Sequence, residues 1–412
     1  MRSQAPDRRE RSSPQVTGAD AVTRRRHLAL LAAMAGAGLL PAAPQARAAP
    51  AVVVQGAAGA NGAGPPEPTP PERAAMAAIA QDYMQKYTVP GLSVAIGHGG
   101  RIIYAEAFGV ADRERRERLL PSHLFRIASV SKPITSVAVF GLIEQGRLNL
   151  GERVFGPGGV LGTDYGGPPY HPGVEQITVE HLLTHTCGGW GNDHDDPMFM
   201  SPGMNHAQLI SWTLRTKPLE RLPGQKYSYS NFGFCVLGRV IEKVTRQPYA
   251  AFVSAAVLRR CGIADMAIAG NTLAVRRPGE VRYYGQDNEN PYDMNVARMD
   301  SHGGWIARPT DLVQFAMHVS GFAAPPNILR PETIRAMTMP SKASGDYAKG
   351  WSVNKYDNWW HGGSLPGTGT IMVRTRGGFC WAAFVNTRRP KNDGDIDGFV
   401  WKMVGAVPAW HA

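Results

Sequence analysis

The alternation of apolar and polar positions places strands near both ends of the chain and helices between them. A helical period covers residues 72–88, and alternating apolar runs then flank the glycine pair at 99–100, as in a β-hairpin. A second hairpin pattern surrounds the glycine pair at 377–378, and the tail after Asp393 is again helical in pattern. Both ends of the chain therefore predict strands, with a helix beyond each set.

The middle of the chain has a different pattern. Residues 152–310 are broken by Pro and Gly into short helical stretches, and no internal repeat is present. We therefore expect an α/β (α+β) fold in which residues 73–128 and 311–408 build one antiparallel sheet flanked by terminal helices. Residues 129–310 would form an inserted helical lobe.

The first 48 residues are typical of an export signal. Three arginines at 24–26 precede thirteen apolar residues at 28–40, and an Ala-Arg-Ala sequence at 46–48 suits cleavage. The paired arginines resemble a twin-arginine signal. Because a membrane span needs about 20 residues, we expect a periplasmic or secreted protein without a stable membrane span; an uncleaved anchor is the alternative.

Residues 49–72 are rich in Ala, Gly and Pro and predict a linker. The folded domain is then expected at 73–408. The net charge of +11 argues little about partners, because the first 48 residues hold eight arginines and three acidic residues. No basic cluster or nucleic-acid motif follows, so we expect no nucleic-acid partner. The four cysteines form no C-x-x-C; buried free thiols are expected, and a disulfide is the alternative.

Ser129 and Lys132 are three residues apart where a long apolar helical run begins, in FRIASVSKPITSVAVFGLIEQG. Residues three apart share a helix face, and a desolvated lysine can take the proton of a serine nucleophile. The other Ser-x-x-Lys, Ser352 to Lys355, falls in a stretch that reads as a strand, where such residues face opposite sides. The alternative for Ser129 is a helix N-cap.

Two further motifs carry polar groups suited to catalysis. Tyr229 and Asn231 precede an amphipathic helix, where a tyrosine beside a lysine can relay a proton and an asparagine amide can orient a substrate; a core tyrosine with an N-cap is the alternative. His361, Gly362 and Gly363 precede a strand pattern, and such glycines let another backbone approach closely; a simple glycine turn is the alternative.

The order of these three motifs resembles the serine β-lactamase and penicillin-binding-protein superfamily. The flanking stretches LFRIASVSKPIT, ITVEHLLTHTCGG, PGQKYSYSNFGFCVLGRVIE and HGGSLPG are similar to class C β-lactamases and their esterase and D-peptidase relatives. The resemblance covers residues 73–408 and implies a sheet with a helical lobe and the site between them.

The resemblance also implies a role for each motif residue. Ser129 would be the acylated nucleophile, Lys132 its base or proton relay, and Tyr229 the partner acid and base. Asn231 would orient the substrate. His361, Gly362 and Gly363 would occupy the family's Lys-Thr-Gly strand, and the backbone N–H groups of Ser129 and Ser364 would form the oxyanion hole. No cofactor or metal is implied.

His361 departs from the β-lactamase pattern, which has lysine at this place. A histidine is mostly neutral at pH 7, so we expect weaker recognition of penicillin-like carboxylates. The expectation is therefore an exported serine hydrolase of the carboxylesterase or D-amino-acid peptidase type, acting on a small-molecule ester, amide or peptidoglycan-like substrate. The alternatives are a class C β-lactamase, a D-alanyl-D-alanine carboxypeptidase, or a non-catalytic penicillin- or peptidoglycan-binding protein. Oligomeric state is not indicated.

Two other polar clusters carry weaker signals. His181 and His185 have a spacing that suits a metal on a helix, but no zinc-protease glutamate accompanies them. The acidic residues at 193–196 could bind a cation, although a solvated loop that borders the pocket is the favoured interpretation. We expect no metal at either place.

Overall fold

The computed structural model describes residues 66–193, 196–388 and 395–410. The predicted export signal and most of the predicted linker lie outside the described residues. The first described helix begins at Pro70, within the predicted linker, because Thr69 and Glu72 form a capping box and two prolines occupy the first turn, where no N–H partner is needed.

The described chain contains ten α-helices and ten strands, joined by short 3₁₀ segments and one π-helical turn. The helices are α1 Pro70–Tyr87, α2 Ser131–Glu144, α3 Val179–Leu183, α4 Pro197–Met200, α5 His206–Thr216, α6 Asn231–Thr245, α7 Tyr249–Val253, α8 Pro309–Val319, α9 Pro331–Thr338 and α10 Asp395–Gly405. The strands are β1 Gly91–His98, β2 Arg101–Asp112, β3 Glu117–Arg118, β4 Phe125–Arg126, β5 Ala267–Ile268, β6 Trp305–Ala307, β7 Ser352–Val353, β8 Trp359–Leu365, β9 Thr368–Arg374 and β10 Phe379–Val385.

The main sheet joins the two ends of the chain. Its seven strands run in the order β3-β2-β1-β10-β9-β8-β7, and all neighbouring pairs are antiparallel. The first and last long strands meet at its centre, where Leu92 pairs with Val385 and His98 pairs with Phe379. The predicted antiparallel sheet built from both chain ends is confirmed.

Both faces of this sheet are covered, which explains why its central strands are almost wholly apolar. In β1, Val94 and Ile96 face a core that α1 and α10 close, with Met76 and Met403 among its residues. Ala95 points to the opposite face and joins the larger core beneath α8 and the helical lobe. Because successive side chains of a strand point to opposite faces, each strand contributes residues to two separate cores.

The helical lobe also contains strands that the pattern did not predict. β5 and β6, together with β4, form a three-stranded sheet in the order β4-β6-β5, and β5 and β6 fall within the range 129–310. Strands of two or three residues are too short to show alternation, so the pattern had no signal for them. This small sheet positions the segment that precedes Ser129, because Ile127 N donates to Trp305 O at 3.0 Å.

Two further observations concern the described chain as a whole. Within residues 66–193, 196–388 and 395–410, no helix combines the length and the apolar character needed to cross a membrane. The four cysteines are buried and unpaired, as expected for structural thiols: Cys187, Cys235, Cys261 and Cys380.

Candidate active site

Ser129 lies in a tight turn between the small sheet and the long helix α2. The turn is the 3₁₀ segment Ala128–Val130, so α2 begins two residues after the serine instead of at it. Ala128 has φ +48°, a backbone conformation that non-glycine residues rarely adopt. This turn leaves Ser129 partly exposed while its neighbours are buried. Ser129 is therefore accessible, and its side chain does not serve as the cap of α2.

Lys132 is fully buried in the first turn of α2. Its Nζ lies 3.0 Å from Ser129 Oγ, 2.7 Å from Asn231 Oδ1 and 3.0 Å from the carbonyl oxygen of His302. Burial lowers the pKa of Lys132 well below its ordinary value, and the charge of Asp196 opposes that shift only in part. The site thus favours the neutral amine.

The three contacts of Lys132 define what a neutral amine can do here. The amide oxygen of Asn231 and the carbonyl of His302 can only accept, so they take the two N–H bonds of the neutral amine. The lone pair is then left in the direction of Ser129 Oγ, whose proton it can accept. The Lys132 amine is therefore placed to act as a base for the hydroxyl of Ser129, the nucleophile that the sequence predicts.

Tyr229 also hydrogen-bonds to the side chain of Ser129. The Lys132 amine lies 4.7 Å from the centre of the tyrosine ring. Burial raises the pKa of Tyr229 far above its ordinary value, so the phenol keeps its proton at neutral pH. A protonated phenol can pass a proton to a leaving group and recover one from Lys132 once the amine has taken the proton of Ser129, so no phenolate persists.

Asn231 opens helix α6, and Ser230 caps it by accepting from Gly233 N at 3.0 Å. The side chain of Asn231 is therefore free to point into the site. Its Nδ2 donates to Asn192 Oδ1 at 2.9 Å, and its backbone N–H donates to Asp196 Oδ2 at 3.0 Å. These bonds fix the amide so that its oxygen faces Lys132.

Asn192 and Asp196 were not among the predicted site residues. Asp196 belongs to the acidic stretch at 193–196, but it is buried and accepts hydrogen bonds from the backbone N–H groups of Met198 and Asn231. Burial raises the pKa of Asp196 to about 6, and the backbone donors counteract that rise. The acid stabilises the start of α6 and lies near the lysine.

The strand β8 runs along the site and explains its glycine pair. A Cβ atom on Gly363 would lie 2.2 Å from the carbonyl oxygen of Ile127, so only glycine lets the strand approach the serine turn. Thr370 Oγ1 on β9 donates to the same carbonyl at 2.9 Å. A Cβ on Gly362 would meet nothing nearer than 3.9 Å. At the end of β8, Ser364 Oγ accepts from Arg388 Nη1 at 3.0 Å.

His361 is buried on β8 and is neutral. Its Nε2 lies 3.2 Å from the hydroxyl of Tyr347, and its Nδ1 lies 2.6 Å from the carbonyl of Gly362. Burial lowers the pKa of His361 to about 3. The sequence predicted a mostly neutral histidine at this position. Nothing in the sequence around Tyr347 indicated that this buried tyrosine would be its partner.

The residues weighed as metal ligands have other partners. Helix α3 ends at Leu183, and His185 has φ +57°, so the helical spacing with His181 does not hold. His185 instead hydrogen-bonds to Ser230 and Tyr347. Within the described ranges, no three metal-binding side chains lie close enough to hold an ion. The second Ser-x-x-Lys is also divided, since Ser352 is in β7 and Lys355 in the turn after it.

The structure thus brings Ser129, Lys132, Tyr229 and Asn231 into one bonded cluster, with β8 beside the serine turn. A sheet built from both chain ends, a helical lobe and a serine–lysine–tyrosine centre between them define the serine β-lactamase and penicillin-binding-protein superfamily. The family model described as Beta-lactamase matches residues 76–402. The chain belongs to that family.

Curated relatives resemble part of this chain. It is 32% identical to "Esterase EstB" of Burkholderia gladioli over 204 residues, 46% of this chain and 49% of the relative. It is 27% identical to "Protein flp" of Staphylococcus aureus over 176 residues, 43% of this chain and 34% of the relative. The matched parts therefore span at most about half the length of these relatives.

Solved structures share the fold at low identity. D-amino acid amidase from Ochrobactrum anthropi SV3, complexed with L-phenylalanine amide, matches with a TM-score of 0.68 and 19% identity, covering 83% of this chain and all of that one. At this identity the likeness concerns the fold, and the chemistry must be argued from the residues above.

Proposed function

We propose that this protein is an exported serine hydrolase that cleaves ester or small amide bonds through an acyl-Ser129 intermediate. The observation that carries the proposal is the buried Lys132 amine, 3.0 Å from Ser129 Oγ, with its two other contacts made by obligate acceptors. A lysine so placed is a base for the serine. The names of an esterase and of a D-amino acid amidase among similar proteins support the choice of ester and amide substrates.

The proposed reaction has two steps. Ser129 Oγ attacks the substrate carbonyl while Lys132 accepts its proton. As the bond to the leaving alcohol or amine breaks, Tyr229 gives that group a proton and takes one from Lys132, so both side chains end neutral. The negative oxygen of the tetrahedral intermediate would be held by the backbone N–H groups of Ser129 and Ser364, a contribution of about 3 kcal/mol for each donor in comparable enzymes. Water then attacks the acyl-serine with Tyr229 or Lys132 as base, the bond between Ser129 Oγ and the acyl carbon breaks, and the proton taken from water returns to Ser129.

The test is to incubate the purified protein with a p-nitrophenyl ester panel and a labelled penicillin, and to record intact mass and product together. We expect a transient acyl mass on Ser129 with product release, and no adduct with the Ser129→Ala variant. A permanent penicillin adduct without turnover would support the non-catalytic binding protein instead. No adduct with any acyl donor would contradict both functions.

Export rests on the amino-terminal pattern alone and is proposed on that ground. The arginines at 24–26 and the Ala-Arg-Ala sequence at 46–48 support twin-arginine transport and cleavage. Expression in a bacterium should yield a periplasmic protein that begins near residue 49. Changing both Arg24 and Arg25 to Lys should leave it in the cytoplasm; periplasmic recovery of that variant would contradict this route.

A further inference from the structure

A chain of hydrogen bonds runs behind the proposed catalytic cluster, through two histidines and a tyrosine. Ser230 N is 3.1 Å from His185 Nδ1, and His185 Nε2 is 3.1 Å from the Tyr347 hydroxyl. The same hydroxyl is 3.2 Å from His361 Nε2, and His361 Nδ1 is 2.6 Å from Gly362 O. The three side chains are buried.

The two ends of this chain fix its direction. A backbone N–H can only donate, so His185 Nδ1 is an acceptor and its Nε2 carries the hydrogen. Tyr347 then accepts from His185 and must donate onward, so His361 Nε2 is an acceptor. His361 Nδ1 therefore carries the hydrogen and donates to the Gly362 carbonyl, which can only accept. Every bond is satisfied when both imidazoles are neutral.

An added proton would break this arrangement. If His361 carried a hydrogen on Nε2, the Tyr347 oxygen would face two donors, and its own O–H would lose its acceptor in a buried site. The titratable groups of the described chain that face His361 are Lys132 on α2, Tyr229 before α6, Tyr347 before β7 and, through it, His185. None of them supplies a negative charge at neutral pH that would favour an imidazolium.

We propose that His185 and Tyr347 are specificity-determining positioning residues: they hold His361 as a neutral imidazole with both nitrogens occupied, so that the site disfavours substrates carrying a carboxylate along β8. This inference rests on the proposed function, since it names the substrate class of the same site. Under this proposal the selectivity depends on the hydroxyl of Tyr347 as well as on the presence of a histidine at position 361.

The first test reads the unmodified protein and needs no substrate. Two-bond ¹H–¹⁵N correlation spectra of the full chain, labelled in histidine, report which ring nitrogen carries the hydrogen. We expect the Nε2–H form for His185 and the Nδ1–H form for His361, unchanged from pH 8 to pH 5.5. The opposite tautomer at His361, or a cationic ring at pH 6, would overturn the proposal.

The second test uses Tyr347→Phe, which keeps the ring and removes only the hydroxyl. With His361 Nε2 released, the neutral ring can carry its hydrogen on that nitrogen and donate it to a carboxylate, so the preference for a 3-carboxyphenyl ester over the 3-carbamoylphenyl ester of the same acyl group should rise by about tenfold. A second pair of esters, with the carboxylate or carbamoyl group on the acyl part instead, tests a carboxylate placed toward the other end of β8. Ratios of kcat/KM that stay unchanged in both pairs would refute the proposal.

Two variants control this comparison. Tyr227→Phe removes a phenol hydroxyl from the same ring cluster but outside the chain, since the Tyr227 ring lies 5.5 Å from the Tyr347 ring; its ratios should equal those of the wild type. His185→Gln keeps a donor for Tyr347 and should change the ratios less than His185→Leu. If the protein cleaves no ester at all, the proposed function fails. The spectra still decide whether the hydrogen bonds from Ser230 through His185 and Tyr347 to His361 exist.

Discussion

The amine of Lys132 lies 2.7 Å from the side-chain oxygen of Asn231, and this bond decides where the lone pair of the amine can point. Because Asn231 is itself held by Asn192, the direction is fixed before any substrate arrives. A base aimed in advance avoids reorganisation during the reaction. The pH response of the reaction should therefore report Lys132.

We predict that kcat/KM rises with pH along a limb whose midpoint lies well below the ordinary lysine pKa of 10.5, since burial lowers the pKa of Lys132. Asp196 opposes this shift, so Asp196→Asn should move the limb to still lower pH. Lys132→Arg should lose at least about 10³-fold, because a guanidinium does not release its proton. Ester hydrolysis followed from pH 5 to 10 measures the wild type and both variants. If the midpoint does not move in Asp196→Asn, the assignment of this limb to Lys132 is contradicted.

Tyr229→Phe should reduce turnover by about 10² to 10⁴-fold while the fold is kept. The ring packs 4.3 Å from that of His185, and phenylalanine preserves this contact. Stopped-flow measurement of acylation and deacylation shows which step slows, and thermal unfolding checks the fold. Wild-type rates in both steps would remove Tyr229 from the proton path.

Gly363→Ala should disrupt both stability and activity. Its Cβ would lie 2.2 Å from Ile127 O, so strand β8 or the serine turn must move, at a cost of about 1–3 kcal/mol. Urea unfolding measures the loss. Gly362→Ala is the matched control for stability, because its Cβ has space; we expect a change within about 0.5 kcal/mol. Equal stability of the two variants would contradict the close approach.

Acid should destabilise the fold more steeply than exposed histidines would allow. The pKa values of His185, His302 and His361 are all lowered by burial, to about 3 for His361. Below pH 6.5 the unfolded chain therefore binds protons that the folded chain does not, and stability falls as pH drops toward the folded-state pKa. Each histidine adds about 1.4 kcal/mol per pH unit in that range.

Urea unfolding between pH 7 and 5 tests this slope. His302→Leu removes one of the three titrations, and the Nε2 of His302 is buried without a hydrogen-bond partner in the described part of the chain, so the variant loses little bonding. We expect its slope to be lower than that of the wild type. A stability that does not change over this pH range would show that these rings are not shielded in the folded state.

Short-range patterns were enough to find the motif residues and the sheet. Ser129 and Lys132 share a helix end, and the two hairpins carry alternating apolar runs with glycine turns, so each is visible within a few residues. Tyr347 and Asn192 act through partners elsewhere in the chain, and a single tyrosine or asparagine in a loop has no pattern of its own. The helical spacing of His181 and His185 does not hold in the structure, because a helix end cannot be located from sequence to within two residues.

Strand β1 pairs with strand β10 at the centre of the sheet, and β8, whose Gly363 lies against the serine turn, joins β10 through β9. A ribosome therefore makes the nucleophile long before it makes the partner strands that complete the pocket. During synthesis the growing polypeptide holds an unassembled reaction centre, and the proposed hydrolysis should begin only after the last strands have emerged and closed the sheet.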